Sequence, residues 1–235
     1  MNTPLHLENS PLINCVIELR FETDLVKSAV FGVIYNCIKE MYPGIVYNLP
    51  ISQLPEQIRD TNPNLKYKPI YRLENDQTIL QIGTDVLCIS SKMPYIGWNE
   101  FHNISVNIIT KVMALGFIKR ISRVGFRYVN FVEGDIKDLL KMSFQLDGNT
   151  FNTLDIRTKI VKNGFSNNLF FSNDAFLNQK RGSVIDIDTS KEYNDNSFVN
   201  NIESELQNAH QCEKELFFSL LKEELLQRFN PTYNE

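Results

Sequence analysis

The residues of this chain best suited to chemistry are charges carried on strands. Arg123 and Arg127 stand four apart within Ile121-Ser122-Arg123-Val124-Gly125-Phe126-Arg127-Tyr128-Val129-Asn130-Phe131-Val132. Strict alternation puts both on one face of a strand, with Val124, Phe126 and Tyr128 on the other. At the strand rise they lie roughly 13 Å apart. Guanidinium forks match carboxylate and phosphate geometry, so with Arg20 the pair reads as a ligand-binding clamp for an anion. Glu18 and Arg20 share a face of an earlier strand. If that strand is a neighbour, Glu18 instead closes a structural charge ladder with the arginines, as cross-strand pairs routinely do. The ladder is the favoured reading of the two.

Asp186 and Asp188, two apart in Ser183 to Thr189, point to one side. Paired carboxylates invite a metal or acid–base role, but no His, Cys or Glu stands near them in sequence to complete a ligand set. An exposed strand face, or partnership with the arginines, is the plainer reading. His210 sits near the apolar stripe of a late helix; it is a candidate ligand-binding residue, with a packing role as the favoured reading. It cannot pair with Cys212, because residues two apart on a helix do not face each other. Trp98, with Tyr95 and Phe101, is either an aromatic platform for a ligand or the anchor of a helix start. No catalytic residue is assigned, and neither a metal nor a cofactor is expected. The GxxxxGK[ST], GxGxxG, GxSxG, HExxH and EF-hand patterns do not occur.

Composition narrows the setting. A chain of 235 residues is long enough for one large domain or two small ones. A net charge of −4 argues against a dominant phosphate-binding surface, so nucleic acid is not an expected partner. Cys15, Cys37, Cys88 and Cys212 have no ligand-like spacing and sit in apolar-periodic segments, as small buried hydrophobes of a reducing compartment do. The N-terminal residues lack a signal-peptide pattern, and no window reaches the roughly 18–20 apolar residues of a membrane span. A cytoplasmic location and no membrane partner are expected.

The elements that must position these charges follow from periodicity. Asn14 to Glu22 alternates as a strand, and Thr23 or Asp24 can cap the helix after it, which Pro43-Gly44 stops. Residues 45–68 read as a proline-bearing connector with a short helical turn near Leu54 to Arg59. Ile70 to Leu73 and Thr78 to Ser90 read as one hairpin with a bulge at Gly83-Thr84. A helix with Trp98, Phe101, Ile104, Ile108, Ile109 and Val112 on its buried stripe leads to the arginine strand. A short helix, Gly134 to Met142, precedes strands Thr153 to Lys162, Asn168 to Ser172 and Ser183 to Thr189. Asn163-Gly164 makes a tight turn, Asn173 to Arg181 a polar loop, and Lys191 to Ser197 an exposed polar segment. Phe198 to Phe229 reads as one long C-terminal helix.

Taken together, several segments carry a resemblance: Pro11-Leu12 with Ile17-Glu18-Leu19-Arg20-Phe21, Gln81-Ile82-Gly83, Pro94-Tyr95 with Gly97-Trp98 and Phe101, Val124 to Asn130, Ile185 to Asp188, and the run from His210 through Phe217 to Phe229. The chain resembles a sporadically distributed prokaryotic family of about this length that has no established activity. The family pattern has a Thr where Lys222 stands. The resemblance spans nearly the whole chain and implies a single full-length domain, no cofactor and no substrate. Its scattered occurrence is similar to that of mobile or defence-linked genes.

The expectation is therefore an α+β protein, with a mostly antiparallel sheet in two sheet-plus-helix layers and a long C-terminal helix. It is read as a single domain over 1–235, with a subdivision into 1–133 and 134–235 as the alternative. The leading functional expectation is a non-enzymatic interaction component, linked to defence or toxin neutralisation, with a protein partner or a second copy. The alternative is a binding protein or enzyme for an anionic small molecule or nucleotide, using the arginine clamp.

Overall fold

The computed structural model describes residues 3–143, 147–148 and 152–233. The strands and helices, in chain order, begin with β1 (His6–Leu7), β2 (Leu12–Thr23), α1 (Lys27–Ile38), β3 (Tyr47–Asn48), a 3₁₀ turn (Pro50–Gln53), α2 (Glu56–Thr61) and α3 (Pro63–Lys66). Then come β4 (Tyr71–Glu74), β5 (Thr78–Ile82), β6 (Val86–Ser91), α4 (Trp98–Met113), β7 (Ile118–Glu133) and α5 (Ile136–Leu139). The chain closes with β8 (Asp155–Lys162), β9 (Phe165–Leu177), β10 (Lys180–Glu192), α6 (Ser197–Asn200), α7 (Ile202–Leu220), α8 (Glu223–Arg228) and β11 (Pro231–Thr232). Helices and a large antiparallel sheet make this an α+β fold. No helix of the described residues is long and apolar enough to cross a membrane.

Two compact units divide the chain, and they are not consecutive halves. Unit 1 comprises residues 1–14, 127–189 and 208–235; unit 2 comprises 15–126 and 190–207. In unit 2 the strand order is β3-β4-β5-β6-β2-β7. The alternation of β2 does what its sequence dictates: Cys15, Ile17, Leu19 and Phe21 are buried, and Glu18 and Arg20 face the other way. Val30, Ile34 and Ile38 of α1 and Phe101, Ile108, Ile109 and Val112 of α4 complete the buried set. Neither Thr23 nor Asp24 caps α1. Its N-cap is Val26, while the Thr23 hydroxyl donates to the Phe117 carbonyl. The helix also ends at Ile38, before Pro43-Gly44.

The expected single hairpin is two. Gly83 is not in a bulge but at a turn between β5 and β6, where it leaves the paired strands. A side chain there would meet Val86 Cγ1 at 2.7 Å and the Lys68 carbonyl at 2.9 Å, so the close approach requires glycine. Lys191 to Ser197 is also not simply exposed. Tyr193 is buried and donates its hydroxyl to Glu205 Oε2 at 2.6 Å, and Lys191 Nζ reaches the same carboxylate. Burial and that carboxylate push the phenol well above its ordinary value.

In unit 1 the strand order is β7-β10-β9-β8. Asn163-Gly164 makes the tight β8–β9 turn, with φ of 52° and 78°. The expected polar loop 173–181 is instead a second hairpin whose turn is Asn178-Gln179, both at positive φ. Local polarity concealed it, because Asn173 is buried and satisfied by Asp135. The core packs Leu169, Phe171, Ile185 and Ile187 against Leu216, Phe217, Leu221 and Leu225. The long C-terminal helix is α7. It stops at Leu220 because the next backbone pairs with 139–141: Lys141 N–H donates to the Leu220 carbonyl at 2.7 Å and Lys222 N–H to the Leu139 carbonyl at 3.0 Å. Apolar periodicity carries across that break, which is why the sequence reads as a single helix.

A candidate anion-binding groove

The charges expected to form one cluster are handled separately in the two units. In unit 2, β2 and β7 are neighbours, and the Glu18 carboxylate is the hub. Its Oε1 accepts from Arg20 Nε at 2.8 Å and from Arg123 Nη1 at 2.8 Å. Arg20 also lies over the Tyr67 ring, 4.4 Å from its centroid. Arg123 folds back across Gly125: a Cβ at that glycine would sit 2.6 Å from Nη1. The side chain thereby fills the space beside Gly125 that the sequence leaves open, and only 15% of it is exposed. Glu18 pairs in register with Cys88, whose thiol burial pushes up to about 12. This is a ladder of Arg20, Glu18 and Arg123, and the expected Arg127 is not part of it.

Trp98, also in unit 2, is an anchor. Its Nε1 donates to Gln207 Oε1 at 2.6 Å, and its ring packs edge-on against Phe126 and tilted against His102. Tyr95 meets Phe101 edge-on. In unit 1, His210 is buried with Nδ1 at 3.0 Å from the Tyr128 hydroxyl, a packing contact of α7 on β7.

Arg127, Asp186 and Asp188 are the sequence candidates that come together around a concavity. Arg127 forks onto Asp186, Nε to Oδ1 at 2.8 Å and Nη2 to Oδ2 at 2.6 Å. The carboxylate is 11% exposed and the arginine 53%. Both line a groove of about 600 Å³ on the sheet face of unit 1, together with Asp188, Asn168, Phe170, Arg157 and Lys159. Alternation builds it. Leu169, Phe171, Ile185 and Ile187 point into the core, so Asn168, Phe170, Asp186 and Asp188 point out. The β8–β9 register sets Arg157 opposite Phe170 and Lys159 opposite Asn168, and the Arg157 guanidinium lies 4.7 Å from the Phe170 ring centroid.

The groove has an electrostatic polarity. Arg157 and Lys159 line one wall on β8. Asp186 and Asp188 line the other on β10, two strand spacings or roughly 10 Å away. Arg127 is matched to Asp186, whereas no carboxylate pairs with Arg157 or Lys159 among the described residues. Among those residues, too, no three His, Cys, Asp or Glu side chains gather as a metal ligand set.

Arg157, Lys159 and Phe170 escaped the sequence reading, although the strand holding the first two was expected. Their signal was the i, i+2 repeat of cations in Asp155–Lys162. It is legible only once that strand's outer face is known to be uncovered. Compared with protein-family models and with curated proteins, the chain matches none.

Proposed function

We propose that the protein binds an anionic small molecule of the nucleotide class in the groove of unit 1. The observation that carries this reading is the pair of cations Arg157 and Lys159 beside the Phe170 face in a concavity of about 600 Å³, the size of an ordinary ligand site. Phosphate oxygens fit the β8 wall, where Lys supplies a point charge and Arg a fork. A planar ring fits against Phe170 and the guanidinium above it. Hydroxyl donors of the same ligand fit the carboxylate wall of Asp186 and Asp188. Of the expected clamp only Arg127 belongs to this site; Arg20 and Arg123 are engaged with Glu18 in unit 2.

Thermal melting with a panel of nucleoside monophosphates tests it. At least one raises the melting temperature by several degrees at 100-fold excess over its Kd, since ligand at that level contributes about 2.7 kcal/mol. Arg157→Ala and Lys159→Ala each remove most of that shift. Their unliganded melting stays near that of the parent, because both side chains are exposed. A panel with no shift, or a shift both variants retain, rules the site out. The expected role as an interaction component takes a separate physical form, at the edge of β8.

A further inference from the structure

We propose that the outer edge of β8 is a docking edge that takes up an extended, acidic segment of a partner protein as an added strand. This does not rest on the groove ligand. β8 pairs with β9 along its whole length, from Asp155↔Ser172 to Lys162↔Phe165, and ends the strand order of the sheet. Among the described residues its other edge has no strand partner. Such an edge presents a row of N–H and C=O groups ready to pair with another chain. Natural edges are commonly blunted by shortness, Pro or a bulge, whereas β8 runs eight residues without Pro or Gly.

Two observations select the occupant. Ile160 and Val161, consecutive β-branched residues on opposite faces of the strand, are 39% and 73% exposed. A single exposed aliphatic is unremarkable, but adjacent ones on an unpaired edge offer apolar cover to both faces of an incoming strand. Beside Val161 on the groove side stand Lys159 and Arg157. A lysine on an edge can serve to repel other strands; here the cations also determine which strand is repelled. A second copy of this chain is disfavoured. Symmetric antiparallel pairing of β8 with itself opposes Arg157 to Lys159 when centred on Thr158 and Lys159 to Lys159 when centred on Lys159; centred on Arg157 it sets Asp155 against Lys159 but opposes the two Arg157 and leaves Val161 facing residue 153, outside the strand. Like charges directly opposite are destabilising. A segment with carboxylates at the positions facing Arg157 and Lys159 and aliphatics facing Val161 and Ile160 meets complementary groups on each face, with main-chain hydrogen bonds supplying affinity as in other strand additions.

The probe is a capped ten-residue peptide alternating Glu and Val, compared with its Lys–Val counterpart on the full chain. Hydrogen exchange of the β8 amides is read together with a binding titration. The Glu–Val peptide slows exchange over 155–162, and the Lys–Val peptide does not. Lys159→Glu weakens the Glu–Val peptide by about tenfold or more and admits the Lys–Val peptide, the reversal expected when charge sets specificity. Val161→Asp, a second surface change, also weakens the Glu–Val peptide. The proposal is overturned if β8 gains no protection, if both peptides bind alike, or if protection grows with protein concentration alone, which would identify a second copy as the occupant. A nucleotide-dependent melting shift that persists alongside a silent peptide removes this proposal and leaves the groove reading standing.

Discussion

Arg123 and Arg127 leave one strand four residues apart, yet each unit treats its arginine differently. In unit 2, Glu18 holds two guanidiniums on one oxygen, and Arg123 lies folded over a glycine and largely covered. In unit 1, Asp186 holds Arg127 alone, in a two-point fork that leaves the arginine half exposed at a groove. The first arrangement brings two guanidiniums to one carboxylate oxygen and fills its own space. The second fixes one wall of a concavity and leaves further cations, on β8, facing it. A charge becomes available to a ligand where its side chain stays exposed beside a groove, and residue type alone does not decide this.

The sharpest contrast between the units is at their glycines. A Cβ on Gly182 would lie 2.4 Å from the Val132 carbonyl oxygen, a backbone atom that cannot move aside. Gly182→Ala is expected to cost about 3 kcal/mol, at the upper end for overpacking, read from urea unfolding. Gly125→Ala meets only the tip of Arg123, which can swing away, and costs under about 1 kcal/mol. Equal costs would mean that Arg123 is as rigidly held as backbone.

Unit 1 also buries a carboxyl that no guanidinium pairs with among the described residues. Glu213 is 1% exposed, its Oε1 has no hydrogen-bond partner among those residues, and burial holds its pKa well above the ordinary 4.5. A carboxyl raised in the folded state keeps its full contribution to stability below the unfolded value of about 4.5 and loses it as pH rises toward the folded value. Glu213→Leu is therefore expected to gain about 2 kcal/mol at pH 8 and little at pH 4. Melting curves across that range check it; a gain independent of pH would show that the carboxyl is not kept protonated by the fold.

The smallest difference expected lies between the two ion pairs themselves. Glu18→Gln leaves two guanidiniums sharing a neutral amide and is expected to cost about 2 kcal/mol, while Asp186→Asn, which removes the charge from one fork to a half-exposed arginine, costs about 1 kcal/mol. Double-mutant cycles with Arg123→Ala and Arg127→Ala give the couplings directly. A larger coupling at Asp186 would reverse the ranking of the ladder over the groove pair.

The sequence by itself determined the alternation of β2 and β7, the parity of Arg123, Arg127, Asp186 and Asp188, the Asn163-Gly164 turn and the apolar stripe of α7. All of these depend on spacing within a few residues. It did not reveal the turn at Gly83, the hairpin at Asn178-Gln179 or the end of α7 at Leu220. There the deciding contacts come from distant segments: the Lys68 carbonyl, Asp135 with Asn173, and the backbone at 139–141. The same holds for the candidate site. Periodicity supplied the charges, but only the tertiary structure decided that Glu18 would take Arg20 and Arg123, that Asp186 would take Arg127, and that Arg157 and Lys159 would face an uncovered groove. Charge pairing is settled by which strands become neighbours, and strand order is a long-range property of the chain.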